Sequence, residues 1–398
     1  MISIFLSFFL ITAGNAQYLS LSNWGANLQY LGYLILLTKI FVNFYKYDKE
    51  KIKLVSYYFI VVFLFNIGIV IQNMDLGTKI RLVMTTVVIA TVAILSQNLL
   101  RNYTAINIAC MAILMAIMFT TILSVVTHTS LTNIAVEGIG SSFGFNGGLQ
   151  HKNALGEDAL ISLIGLYFCK GKTKYKKINR YLMLICVLLI ILSNARECYI
   201  WFGIFVLYEL IYNLKFVSKV QKSVFVLVSG TLVITIGIFL FRHILANSGS
   251  YGMRTQGLIN YLNMYSNNRF VMLFGNAPMA WRNSGLSYEE NIRSVTGWNG
   301  TVELALLNIL VKNGVIGLIG YILIFFNYIK DFTNMYSCKE KKYGFLVIII
   351  MLTSTLVQSS VVGIQSIFGI FGYLLINHFL GTYNDKKNKQ TSISDNSI

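Results

Sequence analysis

The chain has 398 residues, a formal net charge of +17 and one proline, Pro278. Hydrophobic residues make up 56% and charged residues only 12%, whereas a soluble domain carries about 25% charged residues. This excludes an ordinary water-soluble fold, and cations spread this thinly along an apolar chain point to a membrane before nucleic acid.

A spanning helix takes about 20 apolar residues, so twelve take roughly 240. Apolar runs of that kind fall at 2–21, 26–45, 54–73, 80–98, 104–127, 155–170, 180–194, 198–214, 223–244, 314–330, 343–360 and 362–381. Asn15 and Gln17 interrupt the first, which lacks the basic start of a cleaved signal and reads as a span. Two longer polar stretches, 128–154 and 245–297, separate some of the runs, and 300–313 reads as a helix on or dipping into the outer surface. The expected architecture is one all-α polytopic domain over 1–381, with about twelve transmembrane helices, outer loops near 128–154 and 245–313, and a disordered tail over 382–398. Cys110, Cys169, Cys186, Cys198 and Cys338 form no C-x-x-C pair and imply neither a disulfide framework nor a zinc site.

Cations set the orientation. Lys46, Lys49, Lys51 and Lys53 begin a series that continues through Lys170–Lys177, Lys215–Lys222, Lys330–Lys342 and Lys386–Lys389. With twelve spans, all of these lie on one side together with both termini, which makes that side cytoplasmic. The other side holds only Lys79, Lys152 and Lys312 but seven arginines, namely Arg81, Arg196, Arg242, Arg254, Arg269, Arg282 and Arg293. The positive-inside rule disfavours Lys and Arg alike outside, so an outer set dominated by Arg has either a local pairing role or a phosphate ligand, which the planar guanidinium fork fits.

Four constellations on the outer side are candidates for chemistry. A glycine-rich stretch, Gly138 to Gly148, runs into His151-Lys-Asn-Ala-Leu-Gly156, with Glu157 and Asp158 placed to suit a helix N-terminus; it is a helix entry or a substrate-lining turn. Ser193-Asn-Ala-Arg196 ends a span, where Arg196 either meets a lipid phosphate or pairs with Glu197. Arg254, Arg269, Arg282 and Trp298 belong to the second outer loop, whose aromatic residues suit sugar rings or a membrane-interface belt. Glu303 is a carboxylate in an apolar helix, costly there and so a general-base candidate, or else a cap. Glu209 reads as structural. No Walker lysine, HExxH, GxSxG or Cys/His metal spacing occurs.

These motifs, with Phe274-Gly-Asn-Ala-Pro278 and Asn313-Gly-Val-Ile-Gly317, resemble the O-antigen polymerase and ligase superfamily of bacterial membrane glycosyltransferases. The resemblance covers about residues 140–330. It implies transfer of an oligosaccharide from undecaprenyl diphosphate to a sugar hydroxyl at the outer face of the cytoplasmic membrane, without metal or other cofactor. It assigns diphosphate binding to Arg196 and Arg269, with Arg254 and Arg282 as rivals, and substrate contacts to His151, Lys152, Asn153 and Trp298. Ligases carry a His eleven residues before the Gly of the last motif; here that position is Glu303, which favours a polymerase, with His151 as the fallback base. Partners would be the lipid-linked oligosaccharide, the bilayer, a chain-length regulator and a flippase, and no nucleic acid. A ligase and a lipid-linked-sugar transporter are the alternatives.

Overall fold

A computed structural model describes residues 1–22, 24–47, 51–137, 140–213, 249–280, 287, 291–296, 302–336 and 338–395. The expected span at 223–244, with His243, lies outside them. The architecture is helical, and among the described residues five helices are long and apolar enough to cross a bilayer: Trp24–Lys46, Ile52–Ile71, Leu76–Leu95, Tyr103–Val126 and Ala305–Thr333.

The chain opens with α1 (Ile2–Ala13) and a short α2 (Gln17–Ser20). The break between them falls where Asn15 and Gln17 interrupt the first apolar run. It pairs with the end of the glycine-rich turn: Gln17 N donates to Gly148 O at 2.8 Å and Gln150 N to Asn15 O at 3.0 Å. Next come α3 (Trp24–Tyr47), α4 (Lys51–Ile71), α5 (Leu76–Leu95) and α6 (Tyr103–Val126). Asp75 caps α5 by accepting from Thr78 N at 2.7 Å, and Asn102 caps α6 by accepting from Ala105 N at 2.8 Å, so each satisfies a donor the helix leaves open. Buried Ala105, Ala109, Ala112 and Ala116 on α6 let neighbouring helices approach closely, as small residues do between helices in lipid.

The loop after α6, expected on the outer side, carries a short hairpin in an otherwise helical chain. Thr132–Glu137 (β1) and Gly140–Phe145 (β2) form an antiparallel hairpin, with Thr132 opposite Phe145 and Glu137 opposite Gly140. The two segments carry β-branched, aromatic and small residues, which suit a strand. The chain continues through α7 (Lys152–Phe168), α8 (Lys176–Ser193), α9 (Arg196–Asn213), α10 (Gly249–Tyr265), α11 (Arg269–Phe274), a 3-10 turn (Ala277–Ala280) and α12 (Ile292–Thr296).

α13 (Ala305–Thr333) joins the expected surface helix and the following span, with a break at Gly314. There φ is 67° and ψ is −170°, a conformation open to glycine alone. The Phe274-Gly-Asn-Ala motif fills the break: Asn276 N donates to Val311 O at 2.7 Å. Gln72, at the end of α4, holds both sides. Its Nε2 donates to Phe274 O at 2.5 Å and Lys312 O at 2.9 Å, and its Oε1 accepts from Ala277 N at 2.6 Å.

α14 (Lys339–Thr355) ends earlier than its apolar run, and the polar segment Gln358–Ser366 leads into α15 (Ile367–Asp395). Every residue from Ser366 to Leu380 is buried, so this helix, apolar on all sides, is the centre of the bundle. Within this buried stretch Asn377 Nδ2 donates to Val92 O, Ala93 O and Ser96 Oγ at 2.9–3.0 Å. The helix runs on through the polar tail to Asp395, where composition pointed to disorder from 382. Gly381 does not end it, because the helix packs closely against the Gln97 carbonyl at that point.

Gly314→Ala is expected to lower the melting temperature of the detergent-solubilised protein, since a Cβ there collides with the Leu273 carbonyl at a strained backbone. Gln72→Leu removes the partner of three backbone groups, one buried and two part-buried, and is expected to cost about 1–3 kcal/mol for the buried group and less for the others. Unchanged melting of both variants would remove the clamp from the list of structural constraints.

Candidate functional site

A cavity of about 860 Å³ is lined by segments far apart in sequence. It takes Asn15 from the α1–α2 break, Gln29 and Tyr30 from the start of α3, and Asn73 to Arg81 from the α4–α5 turn. Gln150 to Glu157 come from the entry of α7, Glu303 to Asn313 from the first arm of α13, and Gln358 to Ser366 from the turn before α15. In the twelve-span reading these are all ends assigned to one side of the membrane. The ends assigned to the other side also meet one another: Asn43 Nδ2 donates to Asn98 O at 3.4 Å, Cys169 Sγ to Tyr103 O at 3.1 Å, and Tyr208 OH to Lys342 O at 2.7 Å.

The wall is mostly amides and hydroxyls, with a few charges. His151 is exposed at the N-cap of α7, and Asn153 and Glu157 follow on one face of that helix at the i, i+4 spacing. Glu303 is half-buried just ahead of α13, and Lys312 lies next to the break at Gly314. Arg81, one turn and a half into α5, is the other cation among the lining residues. Asp75 caps the same helix. The Thr78 backbone N–H holds its carboxyl below the ordinary value of 3.8, with smaller help from Arg81.

Three of the residues singled out in the sequence therefore share the cavity: His151, Asn153 and Glu303. Lys152 turns away from it. Its side chain is buried and Nζ donates to Asn194 O at 3.4 Å. Arg196 starts α9 half-buried, and Arg269 starts α11 exposed; neither lines the cavity. Arg254 falls within α10, while Arg282 and Trp298 lie outside the described residues.

The motifs themselves are paired by packing. Asn194 takes a left-handed φ of 48° that closes α8, and its Nδ2 donates to Phe143 O at 2.8 Å. Gly144 sits against the Ser193 carbonyl, and Gly156 against Cys198 Sγ and Ser193 Oγ, so close that a Cβ at either has no room. The glycine-rich turn and His-Lys-Asn-Ala-Leu-Gly are thus built onto Ser193-Asn-Ala-Arg. The second pair, Phe274-Gly-Asn-Ala and Asn313-Gly, meets at the Gln72 clamp.

Sequence reasoning passed over Gln72, Lys312, Glu157 and the 358–366 segment as site residues, and named Arg81 only within the outer arginine set. A lysine inside an apolar run and a polar stretch, Gln358-Ser-Ser, splitting two apolar runs were visible signals. Glu157 had none, because a first-turn position after an Asn153 cap would have explained a carboxylate; the helix instead starts at Lys152 with His151 as its N-cap, which puts Glu157 in the second turn. Glu209, read as structural, is buried and accepts from Tyr167 OH at 2.6 Å. Among the described residues no group of three or more His, Cys, Asp or Glu side chains is placed to hold a metal ion. No described protein family matches the chain, and no curated protein matches it. The family resemblance therefore rests on the motifs themselves.

Asp75 gives a pH test of the cavity wall. Its folded-state value is depressed, so the stability it contributes is present above its ordinary value of 3.8 and is lost as the pH falls from there through the lower folded-state value. Asp75→Asn is expected to flatten the acid limb of the melting temperature against pH; an unchanged acid limb would show that the cap carries no charge-dependent stability.

Proposed function

We propose that this chain is a bacterial surface-polysaccharide polymerase of the cytoplasmic membrane, joining oligosaccharide repeat units carried on undecaprenyl diphosphate at the outer face. The observation that carries the reading is the meeting of motifs. Four short motifs scattered over about residues 140–330 pack in two pairs, and residues of both pairs face one cavity. A lining rich in Asn, Gln, Ser and Thr suits sugar hydroxyls, and the volume lies in the upper part of the range of about 300–1,000 Å³ for small-molecule sites.

In this reading the twelve-span topology places both termini and the lysine-rich loops in the cytoplasm and opens the cavity outward. The charge of the lipid diphosphate falls to Arg81 and Lys312, the two cations on the cavity wall, rather than to Arg196 and Arg269. Paired with the departing phosphate oxygens, they stabilise the negative charge that builds on the leaving group. His151, Asn153 and Glu303 engage the sugars. A bilayer, a flippase that supplies the lipid-linked unit and a chain-length regulator are the expected partners.

A transporter of lipid-linked sugars is the second reading. The observation favouring it is the set of buried acids beside the cavity, Glu157, Asp158 and Glu197, since intramembrane acids often mark transport pathways.

Reconstitution with lipid-linked repeat units extracted from the source cell separates the readings. Elongation of the sugar chain is expected; movement of units across the vesicle membrane without elongation would establish the transporter, and delivery of finished chains to another acceptor the ligase. Arg81→Gln and Lys312→Gln are each expected to slow elongation by about tenfold or more, the loss of a charge-assisted contact of about 1.5–3 kcal/mol. Full activity in both would remove them from donor binding. In intact cells, His151→Cys combined with replacement of the partly exposed Cys338 by Ser is expected to react with a membrane-impermeant maleimide added outside, since native Cys110, Cys169, Cys186 and Cys198 are buried; labelling only from the cytoplasmic side would reverse the topology.

A further inference from the structure

The α7 wall of the cavity holds a carboxylate that the motifs leave without a role. Glu157 is 3% exposed yet lines the cavity, one turn beyond Asn153 on the same helix face. Ser366 Oγ, from the turn before α15, donates to its Oε2 at 3.1 Å and fixes the side chain. Two further acids stand close behind it. Asp158 is its neighbour in sequence, 1% exposed, with Oδ1 lacking a hydrogen-bond partner. Glu197 is also buried, held by Gln358 Nε2 at 2.8 Å. No lysine or arginine among the described residues is bonded to Glu157 or Asp158. The mutual repulsion of these carboxylates is relieved when one of them takes up a proton, and Glu157 is the one that reaches the cavity.

We infer that Glu157 is the base of the transfer reaction, taking the proton from the acceptor sugar hydroxyl, while Glu303 holds that sugar from the segment leading into α13. This rests on the glycosyl-transfer reading above. The acceptor oxygen forms its bond to the anomeric carbon as its O–H bond breaks, and the proton moves to the Glu157 carboxylate. The bond from the anomeric carbon to the diphosphate oxygen breaks, and its electron pair leaves with the lipid diphosphate. The proton on Glu157 then passes to water in the cavity. Geometry separates the two glutamates. Glu157 is buried, with one oxygen fixed by a hydroxyl, so solvent reaches it far less than it reaches Glu303. Glu303 is half-exposed, where water competes for its oxygens.

The test uses membranes of the source cell deleted for this chain, carrying their own lipid-linked repeat units as substrate, with each variant supplied in full length. Glu157→Gln is expected to lower kcat about 10²- to 10⁴-fold, the usual contribution of a general base, with KM little changed. Glu303→Gln is expected to act mainly on KM. Ser366→Ala keeps the carboxylate and removes its hydrogen bond, so it is expected to move the acid limb of the kcat profile without abolishing turnover; Glu157→Asp is expected to move it too. Melting in detergent identifies any variant that fails to fold, and in that case the two pH profiles decide. Elongation by Glu157→Gln within about twofold of the wild type, or unmoved acid limbs in Ser366→Ala and Glu157→Asp, would overturn the assignment and leave the transferase reading standing. A wild-type chain that does not elongate would remove both.

Discussion

Gln72 satisfies three backbone groups that would otherwise be left open where a membrane helix breaks. Irregular backbone survives at membrane depth only if it is buried in protein and hydrogen-bonded there. The break at Gly314 meets that condition through one side chain, which reaches Phe274 and Lys312 across 202 and 240 residues of sequence. Asn313 adds a bond from its Nδ2 to Phe65 O at 2.9 Å. Much of the cavity follows from this arrangement. The break sets the position of Lys312 and of the arm carrying Asn308 and Glu303, and the same clamp docks the turn that carries Pro278.

The opposite wall depends on close approach instead. Gly144, Gly148 and Gly156 each sit where a Cβ would collide with a neighbouring segment. The hairpin, the entry of α7 and the end of α8 therefore form one contact region, tied to the first helix through Asn15 and Gln17. A glycine-rich stretch that reads as a flexible loop is in fact packed, because its missing side chains leave room for other backbones.

The central helix explains why these two walls face each other. α15 is buried along its first half and touches α1, α5, α7, α13 and α14. The polar segment before it, Gln358 to Ser366, brings hydroxyls and amides to Glu157 and Glu197 at the edge of the cavity. Acids so placed have hydrogen bonds but no bonded cation among the described residues, an arrangement that costs stability unless a proton or a substrate enters it. That cost is what gives Glu157 a chemical reading.

Hydropathy is a local property, so the sequence alone determined that the chain is a helical membrane protein and where most helices begin and end. Lys and Arg counts sorted the helix ends into two sets, and short motifs marked His151, Asn153 and Glu303. What no one-dimensional pattern carries is which ends become neighbours in the plane of the bundle. Packing decided that, and so decided that Arg81 and Lys312 line the cavity while Arg196 and Arg269 do not. It also turned Glu157 from a residue suited to a helix dipole into a cavity carboxylate, because Ser366, 209 residues further along the chain, is folded against it.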